Sequence, residues 1–123
     1  MRFSIKTTNL ELTSELQDYI EKKINSLDRF IENLNSAVQA WVEIGLTTRH
    51  HQTGKVYRAE IQIHLPGKSV RAEAVTKNIF ASFNEAIDEL QRELKKYKGK
   101  KAEEQERASR TLKDILKGAW WKK

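Results

Sequence analysis

Tyr57-Arg58-Ala59-Glu60-Ile61-Gln62-Ile63-His64-Leu65-Pro66-Gly67 alternates apolar and polar side chains and then stops at a Pro-Gly pair. A period of two marks a strand with one buried face, and Pro-Gly marks a tight turn. Tyr57, Ala59, Ile61, Ile63 and Leu65 form the buried row; Arg58, Glu60, Gln62 and His64 form the exposed one. Beyond the turn, Ser69 to Val75 repeats the alternation. Before it, Val38, Ala40, Val42, Ile44 and Leu46 alternate with Gln39, Trp41, Glu43 and Gly45, and a polar loop from Thr47 to Gly54 follows. Two successive short connections predict two hairpins and three antiparallel strands.

Working outward, Arg2 to Thr7 sets Phe3 and Ile5 against Arg2, Ser4 and Lys6, a further short strand. Thr13 or Ser14 offers a helix N-cap, with Gln17 placed for a capping box after Ser14. Leu16, Ile20, Ile24, Leu27, Ile31 and Leu34 then recur three and four apart, joined by Tyr19 and Phe30. They predict a helix with one buried stripe ending near Asn33-Leu34-Asn35-Ser36. Ile79, Phe83, Ala86, Ile87, Leu90, Leu94 and Tyr97 mark a second helix, from near Thr76 to near Gly99. A helix between the first two strands implies that they pair in parallel. The predicted fold is an α+β two-layer sandwich in the order β-α-β-β-β-α, a four-stranded mixed sheet with two helices on one face. The other face is open and carries Gln39, Trp41, Glu43, Arg58, Glu60, Gln62, His64, Arg71 and Glu73. Because both signs mix there, it is not expected to be a nucleic-acid surface.

The chain has 123 residues, 38% hydrophobic and 33% charged, enough for one domain. No stretch reaches the roughly 18 to 20 apolar residues of a membrane span, and the N-terminus has no secretory apolar run. With no cysteine, disulfides, thiol catalysis and cysteine-held metals are excluded; a reducing, cytoplasmic setting fits. Lys and Arg number 23 against 17 Asp and Glu, a net +6. Residues 1–98 hold 15 basic and 13 acidic side chains, and residues 99–123 hold 8 and 4. The densest window holds Arg92, Lys95, Lys96, Lys98, Lys100 and Lys101 against Glu93 alone. Cations at a helix end suit its dipole, but this many in so short a span point to a polyanionic partner, nucleic acid first.

Catalytic and metal-binding signals are missing. Gly67-Lys68-Ser69 ends like a phosphate-binding loop, yet Gln62 stands where the motif needs its first glycine, and a strand follows instead of a helix. His50-His51 and His64 lack ligands at helical spacing, so they are expected to be structural or solvated. No Gly-x-Ser-x-Gly turn or paired carboxylates stand out. No enzyme activity, metal or cofactor is expected.

Two stretches add a resemblance: Leu12-Thr13-Ser14-Glu15-Leu16 continuing to Tyr19-Ile20-Glu21-Lys22-Lys23-Ile24 and Leu27, and Ala81 through Ala86-Ile87, Leu90 and Arg92 to Leu94-Lys95-Lys96-Tyr97-Lys98. With the order of elements, they make about residues 1–100 resemble the ribosome hibernation-promoting factor and ribosome-associated inhibitor family, also called sigma-factor modulation proteins. The resemblance implies a double-stranded-RNA-binding-like fold that docks on the small ribosomal subunit at the decoding centre. There it contacts ribosomal RNA and excludes messenger RNA and transfer RNA. It implies inhibition by occlusion; the chain is also expected to be a monomer with no membrane partner. The RNA-binding candidates it marks are Lys22 and Lys23 on the first helix, and Arg92, Lys95, Lys96 and Lys98 on the second; Lys100 and Lys101 join them from the basic window. Tyr97 belongs to the apolar stripe and is expected in the core. Ser26 and Glu89 stand where the family often has lysine, and Glu93 is placed to pair with Lys96. The alternatives are a free duplex-RNA-binding domain and a protein-interaction adaptor that modulates a sigma factor.

The domain is expected to span residues 1–98, followed by a charged tail, 99–123, partly helical or disordered and fraying unless docked. In that tail Ala108, Leu112, Ile115, Leu116, Ala119 and Trp120 recur at helical spacing, and Trp120-Trp121-Lys122-Lys123 closes the chain. Its length leaves no room for the pairing domain of long-form family members, so ribosome bridging by that route is not expected.

Overall fold

The computed structural model describes residues 1–31, 38–47 and 54–121, with the backbone alone at 101–105, 111 and 113–121. The elements run β1 (Arg2–Thr8), α1 (Ser14–Asn25), a 3-10 turn (Ser26–Phe30), β2 (Gln39–Thr47), β3 (Val56–Leu65), β4 (Lys68–Thr76) and α2 (Ile79–Trp121). The strands lie in the order β1-β2-β3-β4, with β1 parallel to β2 and the other two pairs antiparallel, as the alternation and the helical crossover require. Gly67, with φ 77°, turns the chain between β3 and β4 in a conformation that a side chain would strain. Gly45 allows β1 and β2 to approach: a Cβ there would sit 3.0 Å from the Thr8 carbonyl oxygen.

The inward rows of the strands and the stripes of the two helices form one core. Ile20, Ile24, Leu27, Ile61, Ile63, Phe83, Leu90 and Leu94 are fully buried in it. Tyr97 is buried as expected, and its hydroxyl donates to the Pro66 carbonyl across 3.1 Å, pinning the helix to the β3–β4 turn.

The helix ends sharpen the sequence expectation and in places depart from it. Thr13, the first of the two expected candidates, caps α1: its hydroxyl accepts from the Leu16 amide at 3.2 Å, so the Ser14–Gln17 capping box is not the one used. The helix then tightens at Ser26 instead of running to residue 33. The Ser26 hydroxyl donates to the Lys23 carbonyl at 2.6 Å, and such a back-bond favours the tighter i to i+3 turn. The expected turn at Asn33–Ser36, like His50-His51 and Lys122-Lys123, lies outside the described residues. At the other helix, β4 keeps Thr76, and Asn78 caps α2 by accepting from the Phe80 amide at 2.8 Å.

The largest difference lies at the far end of α2. The helix expected to stop near Gly99 continues unbroken to Trp121, 43 residues in all. Isolated glycine costs a helix only about 1 kcal/mol relative to alanine, too little to end it alone. Among the described residues Tyr97 is the last buried one of α2, and Leu112 beyond it is 59% exposed.

Buried Ser82 was invisible in the apolar pattern and ties three elements together. Its hydroxyl donates to the Tyr57 carbonyl at 2.7 Å and accepts from the Thr76 amide at 3.0 Å. The first turn of α2 is thereby fixed to β3 and β4, as a satisfied buried polar group should do.

Candidate nucleic-acid interface

α1 and α2 lie side by side on the sheet. Tyr19 meets Phe80 edge-on at 5.1 Å and Phe83 at 6.1 Å near the start of α2, while Phe30 reaches Lys95 fifteen residues further along. The two helices therefore run in the same direction, and their C-terminal portions, where cations concentrate, come together. Burial, and secondarily the Asp88 charge, raise the Tyr19 hydroxyl above its ordinary pKa, so its ring stays neutral beneath Lys23.

One cluster forms across the junction. The Arg29 guanidinium sits 4.7 Å from the Phe30 ring centre and the Lys95 ammonium 5.9 Å from it. The Lys98 ammonium donates to the Arg29 carbonyl at 3.3 Å. Lys23 stands about two turns before Arg29 with its ammonium 5.7 Å from the Tyr19 ring, and Lys22 beside it is exposed. Among the described residues, none of Lys22, Lys23, Arg29, Lys95 and Lys98 has a carboxylate within ion-pair distance. Lys22 and Lys23 also occupy the last turn of α1, where cations suit the dipole. The arrangement is a row of cations, three of them resting on aromatic rings, with free charge to offer a polyanion.

The basic window on α2 does not form a single patch. At about 100° per residue, Lys95 and Lys98 share the flank facing α1, whereas Arg92 and Lys96 point about 60° to 100° further outward, away from Lys95. Arg92 borders a shallow depression with Glu73, Glu85, Asp88 and Glu89. Lys96 pairs with Glu93 at 3.5 Å, as its spacing predicts. Lys100 is exposed and rotated about 160° from Lys98. Lys101 lies on the helical extension, and its side chain is outside the described residues. Arg29 was missed in the sequence because nothing local distinguishes it. Its partners on α2 lie 66 and 69 residues away, and only its place beside Phe30 at the end of the stripe hints at them.

The open sheet face behaves differently. Arg58 bonds Glu73 at 2.8 Å and also Glu60; Arg71 bonds Glu60 at 2.6 Å and Glu73 at 2.9 Å. Four charges close on themselves and leave little for a partner. The bond from Arg71 holds the Glu60 carboxyl below its ordinary pKa, and the bond from Arg58 does the same for Glu73. A carboxyl whose folded pKa is depressed stabilises the fold above its unfolded value and loses that contribution as pH falls through the folded one. Thermal unfolding followed from pH 7 downward should therefore show a loss beginning below about pH 4.3, the ordinary glutamate value. Glu60→Gln should remove roughly 1 kcal/mol at pH 7 and flatten that part of the profile. A profile unchanged by the substitution would show that the square contributes nothing.

Comparison with known proteins gives a consistent picture. A model of the family described as Sigma 54 modulation protein / S30EA ribosomal protein matches residues 3–102. Proteins named ribosome hibernation promotion factor are similar: that of Deinococcus radiodurans is 30% identical over 97 residues, 78% of this chain and 48% of that protein. That of Lactococcus lactis is 31% identical over 100 residues, 80% and 50% respectively. The chain spans about half the length of the curated relatives it matches. Among solved structures, the N-terminal domain of Thermus thermophilus Protein Y superposes with a TM-score of 0.65 at 34% identity, over 79% of this chain and 99% of that domain. A ribosomal subunit interface protein from Coxiella burnetii, at 18% identity and a TM-score of 0.59, shares the fold over 80% of this chain and 99% of that one.

Proposed function

The chain belongs to the Sigma 54 modulation protein / S30EA ribosomal protein family, and from that membership we propose that it is a ribosome hibernation factor. It binds the small ribosomal subunit at the decoding centre, through ribosomal RNA, and keeps messenger RNA and transfer RNA out. The observation that carries this reading is the row Lys22, Lys23, Arg29, Lys95 and Lys98, cationic and free of carboxylates among the described residues. Arg92, Lys96 and Lys100 supply a second, outward-facing set that reaches phosphates further from the helix junction, and Lys101 follows them on the helical extension.

The mechanism is steric. A folded domain held by phosphate contacts occupies space that a nucleic-acid ligand needs, and no bond is made or broken. The rigidity of the sheet and the two helices serves this role directly, because a body that blocks a channel must not deform around the competitor.

Sedimentation with purified subunits tests the proposal. The protein should travel with the small subunit and not the large one, and messenger RNA and transfer RNA should compete with it. With about five phosphates neutralised, affinity should fall roughly a hundredfold or more between 50 and 200 mM salt. Binding that ignores salt, or prefers the large subunit, would refute the reading. A short RNA duplex bound as tightly as the subunit would replace it with the free duplex-binding alternative.

A further inference from the structure

The charge square on β3 and β4 leaves the other half of the open sheet, towards β1, with a different character. Trp41 is 38% exposed there, the most exposed large aromatic among the described residues. Its ring meets the His64 ring edge-on at 4.5 Å, so the neighbouring strand holds it in place while much of it stays bare. Strand register puts Ser4 and Gln62 directly beside Trp41 on either side. The Gln62 amide nitrogen contacts His64 at 3.3 Å, and neither the Gln62 amide oxygen nor the Ser4 hydroxyl has a partner among the described residues. Arg2 and Lys6 flank Ser4 two positions away on β1, both on the open face; Lys6 is 74% exposed and 3.7 Å from Glu43. Ser4, Lys6, Trp41, Glu43, Glu60 and Gln62 line a depression of about 250 Å3.

We propose that this depression is a binding site for an unpaired nucleobase. The base would stack on Trp41, its edge would meet the free Ser4 hydroxyl and Gln62 amide oxygen, and its phosphates would lie along Arg2 and Lys6. An exposed ring on an open four-stranded sheet is a known means of holding single-stranded RNA, because every base has a π-face to stack. The proposal departs from the expectation, drawn from mixed charge, that this face is not a nucleic-acid surface. The charges that mix are Arg58, Glu60, Arg71 and Glu73, and they satisfy one another. What remains towards β1 is two cations, one carboxylate and a bare ring. The site faces away from the two helices, so it is independent of the cation row and would engage a different strand of nucleic acid.

Trp41 reports on its own occupancy. The chain has three tryptophans; with Trp120→Phe and Trp121→Phe, Trp41 is the sole indole emitter. Oligoadenylate should quench that emission saturably, whereas inorganic polyphosphate, which carries the charge without bases, should not. Quenching by adenosine monophosphate as well would assign the site to a free nucleotide; quenching by the oligomer alone would assign it to a base within a strand. Either supports the proposal. Trp41→Ala should weaken oligoadenylate binding about tenfold, and Trp41→Phe should retain most of it. Equal quenching by polyphosphate, or no quenching by any of these ligands, overturns it. So does unchanged oligoadenylate binding by Trp41→Ala with wild-type melting.

Discussion

Replacing Arg29, Lys95 and Lys98 together by glutamate is expected to lower affinity for the small ribosomal subunit by about a hundredfold or more near 100 mM salt. These three groups converge from separate elements: Arg29 and Lys95 on the Phe30 ring, Lys98 on the Arg29 carbonyl. Reversal turns a site of counterion release into one that repels phosphate, and it should also flatten the salt dependence. Arg92→Glu with Lys96→Glu makes the informative contrast. Arg92 sits among Glu73, Glu85 and Glu89, and Lys96 is engaged by Glu93, so their loss should cost only about tenfold. If the second pair proved the more damaging, the outward flank of α2 would be the face that meets RNA. All five residues are surface-exposed or rest on exposed rings, so melting temperatures should barely change.

Phe83→Ala is the substitution expected to harm the fold most. Its ring is fully buried, lies against Tyr19 and joins α1 to α2 over the sheet. Truncating a core phenylalanine costs about 3 to 5 kcal/mol through lost transfer energy and the cavity left behind. In a domain of this size, that lowers the melting temperature by roughly 15 to 30 °C. Calorimetry or circular dichroism would measure it. Because Tyr19 holds Lys23 over its ring, the same variant should also loosen the first-helix end of the cation row. A loss below about 1 kcal/mol would mean that the helix pair is not packed around this ring.

The strands were fully legible because alternation is a local property: each of Val42, Ile61 and Ala72 announces its face through its immediate neighbours. The helix ends were less so. Ser26 reads as an ordinary surface position, yet its hydroxyl takes up the Lys23 carbonyl and changes the winding of the chain. Gly99 reads as a stop, yet no steric or conformational demand enforces one there. At the proposed interface, Lys22, Lys23, Lys95 and Lys98 were marked through composition and family resemblance, and the structure gathers all but Lys22 about aromatic rings or the Arg29 backbone. What composition could not do is sort Lys95 from Lys96, since adjacent residues on a helix face about 100° apart. Arg29 and Ser82 share the same invisibility, for both depend on partners brought close only by the completed fold.

The length of α2 fixes a distance as well as a shape. Past Tyr97 the helix continues for 24 residues, about 36 Å at 1.5 Å each. Wherever the body seats, a helix of that length can carry its tip up to about 36 Å from Tyr97. A second foothold at the tip would raise the local concentration of each contact for the other, multiplying modest affinities without any new bond in the body. The gain would be steeply selective, because a stiff spar, unlike a slack tether, rewards only anchor points set at its own length.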